Sequence, residues 1–185
     1  MSAAAAEQQA KFRTRPARRE DAAAIARIYN EGIEDRVATF ETEPRTEADV
    51  LGWFERGYTI VVLEAEARVR AYATAFAYRT RACYSGVREF SVYVSRADRG
   101  RGYGRAALEA LIEAARQRGD WKLLSRLFPE NAASRRLLAA LGFREIGSYE
   151  RHARLDGKWR DVIIVEKLID APKPAGAGAE RGGKR

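Results

Sequence analysis

The 185-residue chain holds one cysteine (Cys83), one histidine (His152), one methionine and five prolines. A single cysteine excludes an internal disulfide and makes a reducing cytoplasm the natural compartment. One Cys and one His leave no Cys/His zinc set, so no metal is expected. No apolar run approaches the ~18 residues that a membrane helix needs. The N-terminus has no apolar stretch behind its charges, so neither a spanning segment nor a secretory leader is expected. What is present is globular in composition: 46% hydrophobic and 32% charged residues, enough for one domain with a core.

The net charge of +8 invites a nucleic-acid reading. Its distribution weakens that reading. Lys11, Arg13, Arg15, Arg18 and Arg19 stand against Glu7 in residues 1–19, and the last sixteen residues add a net +2, so residues 20–169 carry only +2. Basic ends on a nearly neutral body suit solubility and mild anion steering, and no nucleic-acid or membrane partner is expected. Residues 1–11 read as a flexible N-terminus and 170–185 as a disordered basic tail of Pro, Gly, Ala and charge, which lacks the apolar surface to offset its ordering entropy. One domain is expected over 12–169.

Within it, helical and strand periodicities alternate. Phe12 to Pro16 reads as a short strand. Arg19-Glu20-Asp21 opens a helix with Ala24, Ile25, Ile28 and Tyr29 on one stripe, and Thr46 with Asp49 caps a second whose buried face is Leu51 and Phe54. Tyr58–Glu64 and Val69–Tyr78 read as paired strands, and Arg88–Ser95 as another. Gly102–Gly119 is a helix, Trp121–Phe128 a strand, and Asn131–Leu141 a helix stopped by Gly142. Phe143–Arg154 and Lys158–Leu168 close the domain around the hairpin pair Asp156-Gly157. The expected class is α/β (α+β): a mixed, largely antiparallel sheet of about seven strands with helices on both faces.

The most informative stretch runs from Val94 to Arg105, where a strand ends, Gly100, Gly102 and Gly104 alternate, and a long helix begins. Unpaired amides at a helix start, with the helix dipole, form an anion site, and Arg99, Arg101 and Arg105 add charge to it. The spacing fits neither the dinucleotide fingerprint nor a P-loop.

Arg99-x-x-Gly102-x-Gly104 after a strand resembles the acyl-CoA pyrophosphate loop of the GNAT N-acetyltransferase superfamily. Glu130-Asn131-Ala132-Ala133-Ser134, then Leu141-Gly142-Phe143, resembles that superfamily's next CoA-contacting segment. Ile28-Tyr29-Asn30, Ala38-Thr39-Phe40-Glu41, Arg88–Val94 and Gly157–Asp161 are similar to the phosphinothricin, methionine sulfoximine and arsinothricin acetyltransferases. The run Arg154–Asp161 looks most like the arsinothricin branch. The resemblance implies acetyl-CoA as co-substrate, held by Val92, Tyr93, Val94, Arg99, Gly100, Arg101, Gly102, Tyr103, Gly104, Arg105, Asn131 and Ser134. It implies a splayed strand at Phe90–Val94 with a free N–H near Val92, Glu89 as general base, and a homodimer. The acceptor would be a small amino acid analogue, and acetylating it would confer resistance.

Arg79 and Arg81, two residues apart, would share a face if their strand extends through them, and a guanidinium pair suits capture of a carboxylate or tetrahedral oxyanion. Phe40, Tyr29 and Tyr84 are candidate pocket walls, and His152 is a further candidate. Where the wider superfamily often has a Tyr, four residues before the Gly of Leu-Gly-Phe, this chain has Leu138. The acid for the leaving thiolate is therefore open among Tyr149, Tyr93, His152 and water. A GNAT acting on a protein N-terminus or lysine, and a catalytically silent CoA-binding domain, are the alternatives.

Overall fold

A computed structural model describes residues 12–169. The expectations for residues 1–11 and 170–185 lie outside the described residues. Seven strands form one sheet: β1 (Arg13–Pro16), β2 (Thr59–Ala65), β3 (Arg68–Ala77), β4 (Val87–Val94), β5 (Lys122–Leu127), β6 (Arg144–Leu155) and β7 (Lys158–Leu168). Their order is β1-β2-β3-β4-β5-β7-β6, antiparallel except at β4–β5. Four helices cover it: α1 (Ala22–Glu34), α2 (Glu47–Glu55), α3 (Tyr103–Arg118) and α4 (Ala132–Ala140). Among the described residues no helix is long and apolar enough to cross a membrane.

Period-two alternation assigns each strand residue to one of two cores. On β2, Val61, Leu63 and Ala65 face α3, packing with Leu108, Leu111, Ile112 and Ala115. Ile60 and Val62 face the opposite side, against Ile25 and Ile28 of α1 and Val50 of α2. Both sheet faces are therefore covered, as the α/β reading requires. Thr46 and Asp49 form the expected reciprocal cap of α2. The fully buried residue of α2 is Val50, whereas Leu51 and Phe54 are only partly buried, so the helix is rotated by about one residue from the sequence-based expectation. Arg19–Asp21 is a single 3-10 turn ahead of α1 rather than part of it. Leu155 pairs with Lys158 around Asp156 and Gly157, both at positive φ, the geometry of the expected two-residue hairpin.

One ion-pair network ties β1 and β2 to the entry of α1. The Arg15 guanidinium donates to both oxygens of Asp21, at 2.7 and 2.9 Å, and to Glu64 Oε2 at 2.8 Å. Burial alone would raise the Asp21 carboxyl. The hydrogen bonds from Arg15 and the Arg18 amide outweigh it and hold the group below its usual range. A depressed carboxyl stabilises the fold above its unfolded pKa, and that contribution is lost as pH falls through the folded value. Arg15→Met leaves Asp21 with the Arg18 amide alone, while Glu64 keeps Arg13 at 2.7 Å, and is expected to cost about 1–3 kcal/mol at pH 7. The difference in Tm from wild type should shrink on acidification below about pH 4, where Asp protonates. Thermal melts at pH 7 and pH 3 check this; an equal deficit at both would refute it.

Candidate active site

The site begins where β4 and β5 part. Their parallel pairing covers Val87–Lys122, Arg88–Leu123 and Glu89–Leu124, and stops, although the strands continue to Val94 and Leu127. On its other edge β4 stays paired with β3 along Arg88–Val94. The β5-facing edge of Phe90–Val94 is thus free of a strand partner, which is the splay expected at this segment. The space between the strands is lined by Ser91, Val92, Ser125 and Arg126, and closed at one end by Asn131, Ser134 and Leu138.

Below the splay the chain turns through Arg96–Asp98 and enters α3 at Gly102. Gly102 sits at φ 81°, a left-handed conformation in which a Cβ would be strained. The first amide bonded within the helix is that of Ala106, to the Gly102 carbonyl, at 3.1 Å. The amides of Tyr103, Gly104 and Arg105 are left to a ligand, at the positive end of a 16-residue helix. Gly104 is needed for contact rather than dihedral: a Cβ there would lie 3.1 Å from Val94 Cγ2 and 3.5 Å from Leu137 Cδ2. Together these residues wall a groove of about 420 Å³ between α1, α3 and α4.

Val92, Tyr93, Val94, Arg99, Gly100, Gly102, Gly104, Arg105, Asn131 and Ser134 all line this groove. Arg101 and Tyr103 do not. The Tyr103 ring turns inward and meets Phe12 edge-on at 5.5 Å, while Arg101 points outward, 3.5 Å from Asp98. Both were expected at the anion site because of their place in the motif; a helix start sends successive side chains in different directions, so only some reach the groove. Asn131 caps α4 by accepting from the Ser134 amide at 3.1 Å, and its own amide donates to the Val37 carbonyl at 3.1 Å. It fastens α4 to the segment after α1. Asp35, Ala38, Arg136 and Leu137 are groove residues that sequence reasoning missed. Asp35 accepts from Arg99 at 2.6 Å and from Arg96 at 2.9 Å, and these pairings, opposing the effect of burial, hold its carboxyl below the usual range.

Through the splay the groove adjoins a cavity of about 250 Å³ on the α1 side of the sheet. Glu89, Ser91 and Tyr93 project into it from alternate positions of β4, joined by Tyr29, Phe40 and His152. Phe40 packs edge-on against Phe128 at 4.9 Å. His152 reaches the cavity from β6, its ring stacked on Tyr149 at 5.1 Å. Tyr93 lies against Tyr29 and Tyr72, with ring centroids at 4.9 and 5.6 Å. Burial raises its phenol well above the usual value.

Two carboxylates line this cavity among the described residues: Glu41, paired with Arg45 at 2.5 Å, and Glu89, whose environment is perturbed. Burial raises its pKa, against the opposing charges of Arg126 and then Arg79. Arg126 pairs with it at 3.0 Å. Arg126, on β5, escaped sequence reasoning altogether.

Three expected acceptor contacts lie elsewhere. β3 ends at Ala77, so Arg79 and Arg81 belong to the β3–β4 loop and do not share a strand face. The chain leaves the ladder after the Tyr78 amide donates to the Val87 carbonyl at 3.2 Å, and Arg81 precedes a 3-10 turn. Neither arginine lines the cavity, although the charge of Arg79 is felt at Glu89. Tyr84 is exposed in the same loop, against Tyr78 at 5.8 Å.

A splayed sheet, a glycine-capped helix dipole and a half-buried carboxylate beyond the splay suit a transferase that sets a phosphate-bearing donor beside a second, smaller substrate. The comparisons with known proteins make the class specific. The model of the acetyltransferase (GNAT) domain matches residues 11–144. Phosphinothricin N-acetyltransferase of Streptomyces coelicolor is 32% identical over 167 residues, covering 86% of this chain and 98% of that protein. L-methionine sulfoximine/L-methionine sulfone acetyltransferase of Pseudomonas paraeruginosa is 32% identical over 160 residues, covering 84% and 93%. The structure of a GNAT superfamily phosphinothricin acetyltransferase from Sinorhizobium meliloti in complex with acetyl-CoA superposes with a TM-score of 0.81 at 30% identity, over 90% of this chain and 95% of that one. The chain belongs to the GNAT acetyltransferase family, and it is an N-acetyltransferase of that family.

Proposed function

We propose that the chain transfers the acetyl group of acetyl-CoA to the α-amine of a small amino acid analogue. The analogue is of the phosphinothricin, methionine sulfoximine or arsinothricin type, and its acetylation confers resistance. One observation carries this reading: three adjoining spaces share their walls, the groove at Gly102–Arg105 and the β4–β5 opening sharing Val92 and Ser134, and that opening and the cavity at Glu89 sharing Ser91 and Arg126. The names of the relatives support the acceptor class. The small, walled acceptor cavity also favours a compact acceptor over a protein N-terminus or lysine.

The groove fits acetyl-CoA. Free amides, Arg99, Arg105 and Arg136 suit its pyrophosphate, and the apolar Val92, Val94 and Leu137 suit its pantetheine arm. The acetyl carbonyl then meets the unpartnered edge of β4 near Val92, where an amide stabilises the developing oxyanion. A free α-amine has a pKa of about 7.7–8.0 and must lose a proton before it attacks. Burial makes Glu89 a stronger base than an exposed carboxylate, and the charge of Arg126 opposes that rise by favouring the ionised form. Of the side chains open as acid for the leaving thiolate, Tyr93 alone lines both groove and acceptor cavity, but burial raises its phenol pKa and so weakens it as a proton donor.

Thiol release from acetyl-CoA, measured against proteinogenic amino acids and the three analogues, tests the reading. Release with at least one analogue is expected; no release with any amino acid would end it. Arg79 and Arg81 are proposed to attract the acceptor's anionic groups from the loop. Arg79→Ala and Arg81→Ala should raise KM for the analogue about three- to tenfold, about 0.6–1.4 kcal/mol, and leave KM for acetyl-CoA unchanged. Unchanged analogue KM in both variants would remove them from the site. A cytoplasmic setting and a homodimer complete the proposal. Ile146, Tyr149 and Trp159, exposed on the β6–β7 hairpin, are apolar side chains that a second copy would cover, and sedimentation equilibrium reads the state.

A further inference from the structure

Along β5, Leu123 and Leu127 turn into the core under α3. Alternation sends Arg126 to the opposite face, where Glu89 projects from β4. Arg126 is the only Lys or Arg side chain that lines the acceptor cavity among the described residues, and it also lines the β4–β5 opening. Its guanidinium donates to Glu89 Oε2 at 3.2 Å, and its Nη1 lies 3.0 Å from Oε1. A guanidinium has five N–H donors in a planar fork. Glu89 takes two at most, and among the described residues Arg126 makes no other hydrogen bond or ion pair. The side chain is 34% exposed, so a molecule in the cavity can reach the donors that remain. The other charged groups nearby are committed or stand apart. Glu41 is held by Arg45 at 2.5 Å, and the loop residues Arg79 and Arg81 do not line the cavity.

A carboxylate and a guanidinium side by side are the charge complement of an α-amino acid. In such an acceptor the amine nitrogen and the carboxyl carbon are two bonds apart through Cα, about 2.5 Å. Laid along the Glu89–Arg126 pair, the ammonium meets Glu89 and the carboxylate meets the free donors of Arg126. The four charges then alternate in sign, and every ion has an opposite neighbour. In the absence of an acceptor the two side chains compensate each other, as a half-buried pair must.

We infer that Arg126 holds the α-carboxylate of the acceptor while Glu89 holds its amine, and that this pair selects free α-amino acids over other amines. The inference rests on the proposal that the acceptor amine sits at Glu89. It leaves the loop arginines to the oxyanion at the far end of the acceptor. A peptide N-terminus, a lysine side chain or a decarboxylated amine has no carboxylate two bonds from its amine, and gains nothing from Arg126.

The test measures acetyl transfer to phosphinothricin and to its α-carboxamide by wild type, Arg126→Met and Arg126→Lys. The amide keeps the shape of the acceptor and removes one charge, and its α-amine, with a pKa of about 7.7–8.0, is still free to react. Wild type should prefer the carboxylate about 10- to 100-fold in kcat/KM, the range of one charge-assisted contact. In Arg126→Met the preference should fall to near parity, through a raised KM for phosphinothricin. Any change that losing Arg126 causes at Glu89 acts on both acceptors alike and cancels in the ratio. Arg126→Lys keeps a charge beside Glu89 without the planar fork and should lose part of the preference. A wild type indifferent to the carboxylate, or a preference that survives in full in Arg126→Met, overturns the inference and leaves the acetyltransferase proposal standing. Should neither acceptor be acetylated, titration calorimetry with phosphinothricin decides separately. Heat with wild type that is lost in Arg126→Met supports the carboxylate site; no heat with wild type, or equal heat in both, rejects it.

Discussion

Glu89→Gln is expected to lower kcat about 10²- to 10⁴-fold, the range that one positioned base contributes, with the Kd for acetyl-CoA unchanged. The amide keeps the size and hydrogen-bonding capacity of the carboxyl but cannot take the amine's proton. The loss corresponds to about 3–5 kcal/mol of barrier. It is not a folding effect. Burial raises the Glu89 pKa because it disfavours the ionised carboxylate, a cost that the amide avoids; against this, the substitution leaves Arg126 without its 3.0 Å partner. These effects oppose each other, and Arg126 retains access to water at 34% exposure, so Tm should move little. The pH profile supplies a second check. Activity requires ionised Glu89, so kcat/KM in wild type rises through a limb above the ordinary carboxylate range of about 4.3. Arg126 lowers the Glu89 pKa, so Arg126→Met should move that limb to higher pH. A Gln variant with wild-type turnover, or a limb that stays in place in Arg126→Met, would take the base role from Glu89.

The parts of this site that could be read from sequence are those set by local chemistry. The alternating glycines at 100, 102 and 104 announce a strand-to-helix turn with exposed amides, and the turn is where they place it. The Thr46–Asp49 cap and the Asp156-Gly157 hairpin are local in the same sense. Arg126 was not legible because its role depends on which strand lies beside β4. Lys122–Leu127 reads as an ordinary strand, and nothing in its own pattern says that it inserts between β4 and β7. A signal existed: a strand, a helix and a strand in succession favour a right-handed parallel crossover, which would have put β5 next to β4 and Arg126 within reach of Glu89. Arg79 and Arg81 failed as a strand pair for the opposite reason. The alternation that would align them ends at Ala77, and no turn residue between Ala77 and Arg81 marks that end.

Gly104→Asp is expected to weaken acetyl-CoA binding about 30- to 1000-fold without unfolding the protein. Gly104 has helical backbone geometry at the second position of α3, so a side chain there incurs no dihedral strain. An acidic residue in the first turn of a helix is favourable to the helix itself. Its Cβ needs a few tenths of an ångström from the Val94 and Leu137 methyl groups that it would meet at 3.1 and 3.5 Å. The carboxylate, however, enters the groove beside the free amides, where the pyrophosphate is proposed to sit. Like charges 4–8 Å apart near a protein surface repel by about 2–4 kcal/mol, which is the stated loss of affinity. Gly104→Asn separates the causes, since it has nearly the same volume and no charge. If the groove holds a polyanion, Asn weakens binding far less than Asp, and added salt narrows the gap by screening the repulsion. Calorimetric titration of both variants with acetyl-CoA at 50 and 500 mM salt reads this directly. Equal affinities for Asp and Asn at low salt would mean that the amides at 103–105 do not face a phosphate, and the donor site would then have to be sought elsewhere on the sheet.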